Sequence, residues 1–256
     1  MLLRQFLHTD PVVAVSYLFG CAGKGIGAVL DPVEAPEFYV RAAEAAGLPV
    51  RYVVDTHVHA DHLSTGPALA AATGAEYVVH ESADVVLPHR GVADGERLEL
   101  GNVMAEAWHL PGHTPEHLAL IVSDGTRAQE PWLVFTGHTL MVGDMGRTEL
   151  ATTAEEGAHA LFASASRLRV LPDHVLVMPG ALSGSVCGRG LSGVPVTTIG
   201  FERWHNRAFK VTDRAAFVEL MLRDVPPRPP AAEAVRRANQ GLESGASIPA
   251  SITVGA

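Results

Sequence analysis

The stretch VRYVVDTHVHADH, residues 50–62, constrains this chain more than any other. Five residues of strand-forming character run straight into three histidines and an aspartate, His57, His59, Asp61 and His62, within six positions. Alternate residues of an extended chain share one side, so His57 and His59 face the same way. A turn after them can carry Asp61 and His62 to the same cavity. Four such groups would repel protons and crowd one another without a cation among them, and imidazole is the commonest metal-binding side chain. The fold must therefore end a buried strand at a polar cavity, the place where α/β proteins put their chemistry.

The rest of the chain reads as strands alternating with helices. Residues 12–19 and 27–30 are expected strands, joined by the glycine-rich turn CAGKGIG. Residues 36–47 read as a helix stopped by Gly47, and 63–73 as a second one. Residues 50–54, 76–80, 118–122, 132–135 and 175–178 are apolar strand-like runs, and 97–109 reads as a hairpin. Residues 154–170 carry Ala and Leu at helical spacing. The expected organisation is a domain over 1–223, then 224–256 as a Pro-rich linker, a short helix at 231–239 and a mobile Gly/Ser-rich tail.

Bulk properties exclude several classes. A length of 256 residues suits one large domain or two small ones, and 47% hydrophobic with 18% charged residues is a globular balance. A formal net charge of −9 argues against nucleic acid or an anionic membrane as a partner. Two distant cysteines, Cys21 and Cys187, make neither a disulfide framework nor a cysteine-built zinc site. The N-terminus is too interrupted for a signal peptide and no run of 18 apolar residues occurs, so a cytoplasmic protein is expected.

Two later segments add histidines. PGHTPEH, residues 111–117, offers His113 after a Pro-Gly turn as a further ligand, with His117 expected at the surface. FTGHTLMVGDMGRTEL, residues 135–150, places His138 at the end of a buried strand. His80, His109, His174 and His205 are expected to be structural or exposed.

The three segments, in this order and spacing, resemble the metallo-β-lactamase superfamily and, more narrowly, its persulfide dioxygenases, including those fused to rhodanese domains. GDMGRTEL is similar to their Gly-x-x-Gly-Arg-x-[DE] loop, and residues 179–206 resemble the stretch that follows in the fused members. The resemblance implies an α/β fold, an αββα sandwich of two mixed sheets with helices on the outer faces. Two departures stand out: His138 takes the place of an aspartate, and Pro179-Gly180-Ala181 lacks the family's late histidine. Both positions help to hold the second metal of the two-metal hydrolases, so a dinuclear zinc site is not expected.

Carried over position by position, the resemblance implies one Fe(II) on His57, His113 and His138, with O2 and a small-molecule thiol or persulfide as substrates. His59 is a ligand in the hydrolases and lies outside the ligand set in the dioxygenases. Asp61 and His62 are expected to orient ligands and water. Arg147 either pairs with a carboxylate of the thiol or a nascent sulfite, or ties its loop to a nearby carboxylate. Cys187 is either a sulfur acceptor or a small buried residue, and Arg189 is expected to add positive potential at the pocket mouth. The rival reading is one zinc on His57, His59 and His113 with Asp61 as base, hydrolysing a thioester or lactone. A third is a non-catalytic binding or sulfur-relay protein. A homodimer through an exposed edge or the Pro-rich arm is a further expectation.

Overall fold

In the computed structural model, which describes residues 1–223, 225 and 227–243, two six-stranded sheets face each other between two layers of helices. The first sheet contains β1 (Leu2–His8), β2 (Ala14–Cys21), β3 (Ile26–Leu30), β4 (Val50–Val54), β5 (Glu76–His80) and β6 (Arg90–Val92), in that spatial order. β1, β2 and β3 pair antiparallel, and β3 to β6 run parallel. The second sheet contains β7 (Arg97–Leu100), β8 (Val103–His109), β9 (Leu118–Asp124), β10 (Leu133–Gly137), β11 (Leu176–Pro179) and β12 (Thr197–Thr198). Only its β10–β11 pair is parallel.

The strand period of two explains the layers. In β2, Val15, Tyr17 and Phe19 point into the space between the sheets, where Phe135 of β10 meets Tyr17 and Phe19 at ring-centroid distances of 4.8 and 4.7 Å. Leu18 points the other way, onto the helices α1 (Pro36–Ala46) and α2 (Gly66–Thr73). The outer face of the second sheet is covered by α3 (Ala154–Leu168), α4 (Ile199–His205) and α5 (Arg214–Leu222). Strands buried on both faces read as unbroken apolar runs, which is how the sequence presents them. The αββα sandwich expected from the sequence is the fold observed.

Local signals set the boundaries. α1 stops at Gly47, whose φ of 62° closes the helix in the left-handed region. α3 is capped by Thr153, whose side chain accepts from the Glu156 amide. The expected hairpin at 97–109 is β7 and β8, joined at Gly101 and Asn102.

Elements absent from the sequence reading are β1, the short strands β6 and β12, and the helices α4 and α5. β1 is an edge strand that is mostly half-buried, so it lacks the clean alternation that marks a strand. The short helix expected at 231–239 is α6 (Ala232–Asn239). Asp224, Pro226 and residues 244–256, part of the expected linker and tail, lie outside the described residues.

Candidate metal centre

The site forms where parallel strands end. Asp31 follows β3, Asp55 to His62 follow β4, His138 follows β10, and Gly180 follows β11. The loop between β8 and β9 brings His113 and His117 alongside. Every one of these histidines is less than 5% exposed, so whatever they bind is held out of bulk water.

Three imidazoles converge. The rings of His57, His113 and His138 lie 4.7 to 5.0 Å apart, steeply tilted to one another. One ring nitrogen from each falls within 4.8 Å of the other two, and His138 Nδ1 is 3.3 Å from His113 Nε2.

Hydrogen bonds behind the rings decide which nitrogen faces the centre. The Thr56 hydroxyl donates to Asp31 Oδ2 at 2.9 Å, so its oxygen is left to accept from His57 Nδ1, also at 2.9 Å. His57 Nε2 then carries a lone pair, is buried, and has no hydrogen-bond partner among the described residues. His113 Nδ1 donates to the Arg147 carbonyl at 2.8 Å, which turns its Nε2 inward. A partner on the outward nitrogen is the usual device for fixing the tautomer of a metal-binding histidine.

His117 corrects the expectation that it is a surface residue: it is fully buried. Its Nε2 accepts the backbone N–H of His138 at 3.1 Å, and its Nδ1 donates to the Thr139 hydroxyl at 3.0 Å. Its ring stacks on His57 with centroids 5.0 Å apart. The loop closes on itself, with the Leu110 N–H donating to the His117 carbonyl at 2.8 Å, and carries His117 inward in a way that spacing along the chain does not reveal.

Gly137 explains how His138 fits. Its φ is 48°, and a Cβ there would lie 2.6 Å from both His117 Nε2 and Thr56 Oγ1. Only glycine combines that conformation with so close an approach.

His59 sits apart from the converging three. Its Nε2 is 3.3 Å from Asp31 Oδ1 and its Nδ1 is 3.5 Å from Asp61 Oδ1. It shares a converging donor group with His57 and Asp61. Burial opposes its protonation, but the contacts with Asp31 and Asp61 raise its pKa well above the ordinary 6.5. Burial, reinforced by the neighbouring imidazoles, moves His57 and His117 well below that value and His113 down to about 3. Burial likewise lowers His138, where the Asp61 charge works in the opposite direction. The converging histidines are therefore neutral, the state in which imidazole binds a metal.

Asp61 and Cys187 complete the cavity. Asp61 Oδ1 is 3.2 Å from His62 Nδ1, yet neither carboxylate oxygen completes a hydrogen bond among the described residues. Burial works against its ionisation, but His62 and His59 beside it hold the carboxyl well below the usual range. Cys187, expected either as a functional thiol or as a buried residue, is 1% exposed and forms a donor group with Asp61 and His138. Burial and then the Asp61 charge push its thiol pKa well up. Buried lone pairs on His57, Asp61 and His62 with no hydrogen-bond partner among the described residues fit a cation.

The two arginines have other contacts. The Arg147 guanidinium meets Glu149 and donates to the carbonyls of Val186 and Pro227. Arg189 donates to the carbonyls of Leu220, Met221 and Arg223 and lies 3.6 Å from Asp144. Ala181, at the position lacking the late histidine, is buried. Asp31, Asp55, Glu116, Arg236 and Asn239 belong to the site's surroundings and were not singled out in the sequence. Among them Asp31 carries a signal visible only in three dimensions, a left-handed φ of 46° at a non-glycine residue. No helix among the described residues is long and apolar enough to cross a membrane.

Comparison with known proteins agrees with this geometry. A hydroxyacylglutathione hydrolase of Rhodospirillum rubrum is 32% identical over 178 residues, covering 68% of this chain and 65% of that protein. The chain thus spans slightly less than two thirds of that relative. Hydroxyacylglutathione hydrolases of several other bacteria match at similar identity. The mitochondrial persulfide dioxygenase ETHE1 of Bos taurus is 26% identical over 209 residues, covering 80% of this chain and 75% of that one. The crystal structure of ETHE1 from Myxococcus xanthus superposes with a TM-score of 0.78 at 28% identity, covering 94% of this chain and 98% of that one. The family model of the metallo-beta-lactamase superfamily matches residues 9–180, and with the sandwich fold and the histidine cluster at its strand ends, the chain belongs to that superfamily.

Proposed function

We propose that this protein is a single-metal dioxygenase acting on a persulfide or another small thiol, with Fe(II) held by His57, His113 and His138. The observation that carries the reading is the convergence of these three imidazoles, with His138 Nδ1 3.3 Å from His113 Nε2. A histidine stands where the hydrolases use a carboxylate between two metals, and Ala181 supplies no donor. That combination favours one metal over two. The structural likeness to ETHE1 from Myxococcus xanthus over nearly the whole chain points the same way.

Bound iron would supply O2 activation and a site for an anionic sulfur. Three neutral imidazoles leave the ion its full +2 charge, which favours a thiolate or persulfide anion over a neutral substrate. Asp61, held ionised by His59 and His62, adds the cavity's negative charge beside the converging histidines. Burial of the whole cluster keeps water from competing. With a persulfide RSSH, O2 and one water, the products are RSH, sulfite and two protons: the S–S bond breaks, the two sulfurs together lose four electrons and O2 gains four. The contacts of Arg147 and Arg189 support roles in holding loops together, so substrate charge would be recognised by other groups.

The second reading, a mononuclear zinc hydrolase of a thioester or lactone, is favoured by the several hydroxyacylglutathione hydrolases among the relatives. Its three-histidine set would need His59, whose Nε2 faces Asp31 and whose Nδ1 faces Asp61. A third, a non-catalytic sulfur-binding protein, would keep the cavity without turnover.

The deciding experiment reconstitutes the protein anaerobically with Fe(II) and measures O2 uptake and sulfite with glutathione persulfide, beside thioester hydrolysis by the zinc form. Sulfite formation that His138→Ala abolishes together with iron binding supports the dioxygenase. Hydrolysis by the zinc form, with no O2 uptake by verified iron-loaded protein, supports the hydrolase.

A further inference from the structure

The helix α6 lies beyond the 9–180 segment matched by the family model, yet its side chains reach the metal-presenting loop at four backbone atoms. Asn239 Nδ2 donates to the carbonyls of His59 and His62, at 2.9 and 2.8 Å, and Asn239 Oδ1 accepts the Ser64 N–H at 2.9 Å. One amide thus grips the loop on both sides of Asp61. One turn earlier, Arg236 donates to the Val58 carbonyl at 3.0 Å and to both oxygens of Glu116 at 3.0 and 3.2 Å. Glu116 in turn accepts the Val58 N–H at 2.9 Å. Both backbone groups of Val58, the residue between His57 and His59, are therefore held by one ion pair, with Glu116 buried and Arg236 half-buried. Glu116 immediately precedes His117, so the same pair joins the loop of His57 to the loop that carries His113 and His117.

We propose that α6 is a working part of the metal centre, with Asn239 and Arg236 as positioning residues that fix the backbone presenting His57, His59, Asp61 and His62. The inference rests on the reading of this cluster as a metal centre, and it holds for iron and zinc alike. The apolar contact on that side also reaches α6: Ala60 packs in a small cluster with Leu150 and Ala232, the last itself on α6. Ligands on a loop that must be ordered by the metal bind it more weakly than ligands already in place. Partners behind the ligands typically change metal affinity about 10- to 100-fold.

The test uses full-length protein and Co(II) as the probe. Affinity is read by competition with a chelator, ligand geometry by the visible Co(II) spectrum, and folding by thermal unfolding of the metal-free form. Asn239→Ala and Arg236→Lys are each expected to weaken Co(II) binding about 10- to 100-fold and to alter the spectrum while the metal-free protein still unfolds cooperatively. Arg237→Ala on the same helix, whose guanidinium pairs among the described residues with the exposed Glu243, is expected to leave both readouts unchanged. Wild-type affinity and spectrum in Asn239→Ala and Arg236→Lys would overturn the role of α6 alone. Equal weakening by Arg237→Ala would overturn it in favour of a general effect of helix docking. A wild-type protein that binds no Co(II) would overturn the metal centre and this role together. Arg236→Lys keeps the test decisive should Asn239→Ala fail to fold.

Discussion

His117 holds His138 by the main chain: the His138 N–H donates to His117 Nε2 at 3.1 Å, while the His138 ring turns to His113. The His117 ring is packed flat on His57 and fixed from behind by Thr139. It also meets the His113 ring edge-on, with centroids 6.2 Å apart, and so touches all three converging histidines without joining them. His117→Ala should leave a buried N–H unpaired, which costs about 1–3 kcal/mol. It should also weaken metal binding about tenfold or more by releasing His138. Urea unfolding of the metal-free protein and chelator competition measure the two effects. Unchanged metal affinity in a destabilised variant would confine His117 to packing.

Thr56 tests the tautomer argument. Thr56→Val keeps the shape but removes the hydroxyl that links Asp31 to His57 Nδ1. Stability should fall by about 1 kcal/mol, and metal affinity by about 10- to 100-fold, because His57 can then turn or protonate its inward nitrogen. Nitrogen-resolved NMR of the imidazoles in the metal-free protein reads the tautomer directly. A His57 that stays Nδ1-protonated in Thr56→Val would show that the relay is not what sets it.

These contacts divide by how far apart they lie along the chain, and that division explains what the sequence disclosed. His57, His59, Asp61 and His62 are neighbours after an apolar strand, so one local pattern reveals both the strand and the cluster. The inward and outward alternation of Val15, Tyr17, Phe19 and Leu18 likewise follows from period two. Asp31, Glu116, Arg236 and Asn239 are ordinary polar residues in their own segments. They acquire meaning only when contacts spanning 25 to 180 residues close. His117 was misplaced for the same reason: nothing between Thr114 and Leu118 says which side of the loop the sheet will cover. His138 was legible only through the family resemblance, since a lone histidine after a strand carries no signal of its own.

Gly137 should tolerate no side chain. Gly137→Ala would place a methyl group 2.6 Å from His117 Nε2 and Thr56 Oγ1 in a left-handed conformation. Backbone strain of about 1–3 kcal/mol adds to the displacement of two groups that support the site. Loss of metal binding together with a clearly lower urea midpoint is the expected result. A variant that binds metal normally would mean that β10 can shift without moving His138.

Cys187 should be chemically silent in the folded protein. Its thiol is 1% exposed, and burial with the nearby Asp61 charge holds its pKa well above the ordinary thiol value. The thiolate, which is the reactive form, is therefore scarce at pH 8. Cys21 is buried as well. Native protein should react with iodoacetamide far more slowly than protein in urea, at both cysteines. Rapid alkylation of Cys187 in native, metal-free protein would reveal an opening that exposes the cavity.

Acid should unfold the metal-free protein early, and the sign follows from the buried imidazoles. His57, His113, His117 and His138 all have folded pKa values below the ordinary 6.5, His113 at about 3. Below pH 6.5 the unfolded chain takes up more protons at these four positions than the folded one, so stability falls as pH falls. Each such imidazole contributes a slope of up to about 1.4 kcal/mol per pH unit between its folded and unfolded pKa values, which for His113 reaches down to about pH 3. His59 works in the opposite sense: its raised pKa adds stability that is fully present below 6.5 and lost as pH rises through its folded value. Four positions against one leave a net loss on acidification. The urea midpoint of metal-free protein should therefore drop steeply between pH 7 and pH 5, with more than one proton taken up on unfolding. A midpoint that stays level across that range would mean that the cluster is already protonated in the folded state, and the neutral-imidazole account of the centre would fail with it.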